Sequence, residues 1–238
     1  MRLHLLGVNG PFPESLGATS GYLLEAGGLR LQFDFGSGIL SRLTAVFPPE
    51  ELDGIFLSHW HFDHTSDLLP LIYRLEAMGR TLPVHAPEDA ASPVRRMLSA
   101  AKCFDLRIVA PGDEVKLGGV LVRVGPARHP VPAVGFRVEA EGRVFGYTGD
   151  TNTLPGLAEF YRGCGLLLAD GLFPVSDWTE AKPHLSARLA AELAAESGAE
   201  KLVLTHLNPV YSPDLLLKEA REVFPEVSAA RAGGRLSL

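Results

Sequence analysis

The chain has 238 residues, 46% of them hydrophobic and 21% charged, with a formal net charge of −6 at pH 7. That size suits a sizeable core in a single α/β domain spanning residues 1–238, and no apolar run approaches the ~20 residues that cross a bilayer. The acidic balance argues against extensive nucleic-acid binding. Two cysteines without CxxC spacing, Cys103 and Cys164, read as reduced core thiols of a cytoplasmic protein.

In chain order, the opening residues Met1 to Gly7 are too short and too soon broken for a signal peptide and predict a first strand instead. Residues 1 to 34 read as a β-meander with strands over Arg2–Val8, Gly21–Ala26 and Leu29–Phe35, the last two joined at Gly27-Gly28. Asn9-Gly10-Pro11-Phe12-Pro13 is turn-rich loop. Asp34 closes the meander, either as a turn or cap residue or as a carboxylate that orients a ligand. A helix is expected over Ile39–Phe47.

The densest stretch is Ser58-His59-Trp60-His61-Phe62-Asp63-His64-Thr65-Ser66-Asp67. The apolar run Gly54–Leu57 before it predicts a buried strand. Leu68, Leu71, Leu75 and Met78 after it repeat at helical spacing, with Ser66 as N-cap and Pro70 in the first turn. The ligand-rich segment is thus expected as a loop that turns His59, His61, Asp63 and His64 toward a common point. One buried histidine is ordinarily a hydrogen-bonded core residue. Four ionisable side chains in six positions after a dry strand are costly to desolvate unless something pairs them, and a divalent metal is what imidazole and carboxylate together pair with.

Beyond that stretch, Leu82–Ala86 predicts a strand that carries His85, read as structural because no ligand type neighbours it, and Glu88–Ala101 predicts a helix. Further strands are expected over Leu106–Val109, Glu114–Leu117 and Val120–Val124, and a hairpin over Val134–Ala140 and Arg143–Tyr147. Before the hairpin stands Arg128-His129-Pro130, and after it Thr148-Gly149-Asp150. Gly165–Ala169 is a buried strand ending in Asp170-Gly171. Leu185, Leu189 and Leu193 mark a helix stopped by Gly198, Leu202–Thr205 is a strand that delivers His206, and Ser212-Pro213 begins the last helix. Three apolar strands therefore end in a small or hydroxyl residue and then a ligand type: His59, Asp150 and His206.

The ordered set of His59, His61, Asp63, His64, His129, Asp150 and His206 resembles the metallo-β-lactamase superfamily over nearly the whole chain. The resemblance implies a four-layer αββα sandwich with two divalent ions between the sheets: zinc foremost, with manganese or iron also accepted by such donors. It implies that His59, His61 and His129 hold one ion, that Asp63, His64 and His206 hold the other, and that Asp150 bridges them. The stretch from Lys182 to Ala194, with His184 near its start, resembles the ribonuclease Z and phosphodiesterase branch, as does Leu204 to Tyr211. In that branch the histidine matching His184 helps the leaving oxygen depart; the competing reading is a helix-start residue without chemistry. Tyr211 is open between site and core.

Only twenty residues separate His129 from Asp150, and the expected hairpin fills most of them. They leave no room for the long RNA-gripping arm that ribonuclease Z carries there, so the resemblance is to short, arm-less members. What it implies is a phosphodiesterase that uses metal-activated water on a small phosphodiester or nucleotide, with Asp63 managing the nucleophile's proton and His184 assisting the leaving group. The alternatives are a thioester, lactone or lactam hydrolase on the same metals, RNA 3′-end processing as in ribonuclease Z, and a non-catalytic scaffold, which should have lost ligands. The partner expected is a small molecule with no membrane; a homodimer is left open.

Overall fold

The computed structural model describes residues 1–238. Strands β1 (Arg2–Gly7), β2 (Gly21–Ala26) and β3 (Leu29–Phe33) form the antiparallel meander, and β4 (Gly54–Phe56), β5 (Leu82–Ala86) and β6 (Phe104–Ile108) extend it in parallel. Gly27 and Gly28 take φ of 56° and 80°, the left-handed pair that a two-residue hairpin turn needs and that side chains resist. The second sheet runs β7 (Glu114–Leu117), β8 (Val120–Pro126), β9 (Val134–Ala140), β10 (Arg143–Tyr147), β11 (Leu166–Asp170), β12 (Leu202–Thr205) and β13 (Val227–Ala229) in spatial order. It is antiparallel from β7 to β10 and parallel from β10 to β13. A last strand, β14 (Arg235–Ser237), pairs with β1 at the edge of the first sheet.

Both sheets are covered on both faces, which explains why their strands read as unbroken apolar runs. Along β4, Ile55 points to the outer helices and Phe56 to the space between the sheets. The inner layer packs Phe33, Phe56, Phe136, Phe145 and Tyr147 against one another. Helices α1 (Ile39–Thr44), α3 (Leu68–Ala77) and α4 (Pro93–Ala100) cover the first sheet. Between the first two lies the single turn α2 (Phe62–Thr65). Helices α5 (Leu157–Phe160), α6 (Ala187–Ser197) and α7 (Pro213–Arg221) cover the second sheet, and Gly198 closes α6 at φ 65°. The layers are the expected αββα sandwich. No helix is long and apolar enough to cross a membrane, and Cys103 and Cys164 are both buried and unpaired.

Several boundaries depart from the sequence reading, each for a local reason. The strand expected to reach Phe35 stops at Phe33 because Asp34 turns to φ 52°. The helix expected to Phe47 ends at Thr44, where the amides of Val46 and Phe47 both fall back on the Leu43 carbonyl. The helix expected from Glu88 begins at Pro93, since Ser92 Oγ caps the Arg95 amide and Asp89 folds the preceding residues into a turn through the Ala91 amide. Ser66 is not an N-cap: the segment expected as loop contains α2, and the Ser66 hydroxyl returns to the Phe62 carbonyl. α3 starts after Asp67, whose carboxylate accepts instead from the Leu40 amide at 2.8 Å. His184 precedes α6 by an extended step and is not on it; Ser186 is the cap, accepting from Leu189 N.

Candidate metal centre

The ends of β4, β10, β11 and β12, with the loop after β8, meet at one rim of the sandwich and deliver every predicted ligand to it. The donor atoms of His59, His61 and His129 lie within 4.8 Å of one another, and so do those of Asp63, His64, Asp150 and His206. In the first group His61 Nδ1 sits 3.0 Å from His59 Nε2 and 3.2 Å from His129 Nε2. Asp150 faces both groups: its Oδ2 is 3.5 Å from His59 Nε2, 3.2 Å from His64 Nε2 and 3.4 Å from His206 Nε2. Asp63 Oδ2 is 3.1 Å from His206 Nε2 and 3.5 Å from His64 Nε2.

These positions are held from behind. Asp34, fully buried, accepts from the Ser58 amide at 2.7 Å and the Ser58 hydroxyl at 2.8 Å, faces His64 Nδ1 at 2.8 Å, and accepts from the Tyr147 hydroxyl across the sheets. Of the two roles open to it in the sequence, Asp34 therefore orients the His64 ring. Ser58 Oγ also lies 3.0 Å from His59 Nδ1. Asp34 and His206 both take positive φ, 52° and 54°, a conformation costing about 1–3 kcal/mol in a non-glycine residue and kept only where the surroundings enforce it. Gly10 leaves the room that the His206 ring occupies: a Cβ there would lie 2.1 Å from Nε2 and 2.2–2.3 Å from its neighbours in the ring. Gly10→Ala is therefore expected to push His206 aside and weaken zinc binding roughly 10–100-fold in a chelator competition, the usual cost of disturbing a ligand's support. Wild-type affinity in that variant would show that the ring has room to move.

The donor chemistry fits a divalent cation. Neutral imidazole has one lone-pair nitrogen and one N–H, so three ring nitrogens meeting at one place cannot satisfy one another fully. Burial, with the neighbouring imidazoles, keeps His59 well below the usual histidine range and lowers His61 and His129, which leaves their lone pairs available. Burial also opposes a charge on His64, but Asp150, Asp63 and Asp34 outweigh it and hold that ring protonated well above its ordinary range. Burial would raise Asp150, yet His206, His64 and His59 keep it ionised. Asp63 is lowered likewise, His64 and His206 overcoming its burial. The carboxylates thus call for positive charge at a point that a metal would occupy, and His64 Nε2 and Asp150 Oδ1 are buried there without a hydrogen-bond partner.

A third group overlaps the second: Asp150, Asp170, His184 and His206 bring donor atoms within 4.8 Å. Its core is a dyad, with His184 Nδ1 2.8 Å from Asp170 Oδ2. Both Asp170 oxygens are already engaged, Oδ2 also by the Thr151 amide and Oδ1 by the Leu172 amide, each at 3.2 Å. Burial would lower His184, but Asp170 and then Asp150 raise it to about 9. Asp170 is the residue missed in the sequence. The only signal for it was an apolar strand ending in a carboxylate, the layout shared by the three ligand-bearing strands. His85 stands apart from the centre, stacked on Phe56 at 4.6 Å, with both ring nitrogens buried and without a hydrogen-bond partner. Tyr211 lies outside the centre: half-buried, its ring packs at the edge of the core that backs the second sheet, and it donates its hydroxyl to Asp177 at 2.7 Å.

The model of a family described as the Beta-lactamase superfamily domain matches residues 29–207. A ribonuclease Z of Methanopyrus kandleri is 31% identical over 267 aligned positions, covering 97% of this chain and 95% of that protein. The probable metallo-hydrolase YhfI of Bacillus subtilis is 30% identical over 240 positions, covering 98% of each. The crystal structure of YhfI, a metallo-β-lactamase fold protein, superposes with a TM-score of 0.93 over 99% of this chain and 98% of that one.

Proposed function

Because the chain belongs to the metallo-β-lactamase superfamily of metal-dependent hydrolases, we propose that it is a dinuclear phosphodiesterase acting on a small phosphodiester or nucleotide. His59, His61 and His129 would hold one ion, Asp63, His64 and His206 the other, with Asp150 between them, and residues 1–238 working as one domain in the cytoplasm. Zinc suits these donors best, and manganese or iron would be accepted. Two such ions, when bound, lower the pKa of a shared water and neutralise charge on the phosphoryl oxygens.

The chain's own residues supply the rest. Asp63 is the second-group carboxylate more open to solvent, its side chain 12% exposed against 3% for Asp150, which supports reading it as the group that exchanges the nucleophile's proton. Asp34 and Ser58 keep the rings of His64 and His59 turned. Asp170 takes His184 Nδ1, which frees the other ring nitrogen to give a proton to the departing oxygen. That dyad beside the two ligand groups carries the phosphodiesterase reading, because thioester or lactone cleavage has no comparable need of it.

Size favours a small substrate over RNA. The β9–β10 hairpin fills residues 134–147 between His129 and Asp150. Alignment with the ribonuclease Z needs 267 positions for a chain of 238 residues, whereas alignment with YhfI needs 240, so the former carries segments that this chain lacks. The 31% identity to that ribonuclease Z makes RNA 3′-end processing the second reading. The purified protein, supplied with zinc or manganese, is expected to cleave bis(4-nitrophenyl) phosphate faster than a thioester or a lactone, and to trim a precursor transfer-RNA trailer poorly. Efficient trailer removal with no action on the small diester would transfer the assignment to the second reading.

A further inference from the structure

His61 has two sides. One faces His59 and His129; the other forms a wall of a pocket of about 230 Å³ whose other walls include Trp60, Phe62, Asp89, Ser92, Pro93 and Val131. No step of the proposed reaction uses this pocket. Its construction is that of a binding site and not of a packing fault. Trp60 is buried, and its indole N–H is tied to the Pro87 carbonyl at 2.7 Å, which makes that wall rigid. Phe62 is the opposite case: 64% exposed and stacked on no other ring, it begins the one-turn helix α2 immediately after His61. An aromatic ring open to solvent at the mouth of a cleft offers a face on which a planar ligand can stack. The pocket has room for one planar ring system. Asp89, whose Oδ1 is taken by the Ala91 amide, adds a carboxylate acceptor beside the aromatic and aliphatic walls, so the chemistry matches a heteroaromatic ring that bears N–H groups.

We propose that this pocket holds the nucleobase of a nucleotide substrate, stacked on Phe62 between Val131 and the Trp60 wall, while the phosphodiester lies at the neighbouring ligand groups. The inference rests on the phosphodiesterase reading and narrows it to nucleotides. Sequence-tolerant stacking on one exposed aromatic ring fits the site better than hydrogen-bond readout, since every base offers a π-face.

The test is a binding comparison on the metal-loaded protein, with adenosine 5′-monophosphate and ribose 5-phosphate as probes that share the phosphate and sugar but not the base. Wild type is expected to bind the nucleotide roughly 10–100-fold tighter than the sugar phosphate, the range that stacking one base supports. In Phe62→Ala that gap should close, with nucleotide affinity falling to the sugar-phosphate value, and in Phe62→Trp it should persist. Phe62 is exposed, so the alanine variant should fold; a thermal melt checks this. Equal affinities for the two probes in wild type, or an undiminished gap in Phe62→Ala, would overturn the proposal. Failure of the phosphodiesterase reading appears separately, as a wild-type protein that leaves bis(4-nitrophenyl) phosphate intact whatever it binds.

Discussion

Asp150→Ala is expected to abolish hydrolysis, by on the order of 10³-fold or more, and to leave the protein with well under the two ions per chain that wild type should carry. The reason is position. Asp150 Oδ2 lies 3.2–3.5 Å from nitrogens of His59, His64 and His206, which belong to both ligand groups. No other side chain faces both groups in this way, and an imidazole could not replace it, because only a carboxylate offers two oxygens on one carbon. Its Oδ1 is buried with no partner in the protein, so the acceptor is already in place for a second cation. Removing the carboxylate also takes away the negative charge that faces His59, His64 and His206 together, so both ions lose a shared counter-charge. His206→Ala takes a ring from one group only and should cost mainly one ion. Asp150→Asn, which keeps an oxygen but not the charge, should fall between. Elemental analysis after dialysis against zinc reads all three, and an Asp150→Ala protein with wild-type metal content would remove this residue from the bridging role.

The parts of this centre that could be read from the chain are those where chemistry and local sequence coincide. His59, His61, Asp63 and His64 crowd one segment after a dry strand, and Asp150 and His206 repeat the same strand-end layout. Asp170 follows that layout too, yet Asp170-Gly171 reads equally well as a turn. Its partner His184 lies fourteen positions on, and only the folded chain brings the two within 2.8 Å. Helix starts failed for a similar reason. Local rules nominated Ser66 as a cap, but the segment before it folded into a turn that took the hydroxyl, and Asp67 bonded a different helix. The polar run from Glu88 has helix-forming residues, but Ser92-Pro93 is a stronger start and overrode them. β13 and β14, three residues each, exist because β12 and β1 offer an edge to pair with, and nothing within three residues could announce that.

His184→Ala should cost roughly 10²–10⁴-fold in turnover on a phosphodiester with an alkyl leaving group, the range for a positioned acid or base. The deficit should shrink on a nitrophenyl ester, whose leaving group departs with little need of a proton. His184 is held for such work from three directions. Asp170 faces Nδ1 at 2.8 Å, the Trp178 indole N–H donates to its carbonyl at 3.0 Å, and its ring stacks on that of His206 at 4.9 Å. It also belongs to the third group of donors with Asp150, Asp170 and His206, so a role as metal ligand has to be separated from a role in proton transfer. Metal content separates them. A ligand's removal would lower the ion count, whereas the loss of a proton donor would leave it near two and change only the dependence on leaving group. Asp170→Asn supplies the matching control: a residue that positions His184 should, when neutralised, reproduce part of the same leaving-group dependence with the ions retained. Equal rates for His184→Ala and wild type on both esters would return His184 to a structural role, and the preference for phosphodiesters over thioesters and lactones would lose its main support.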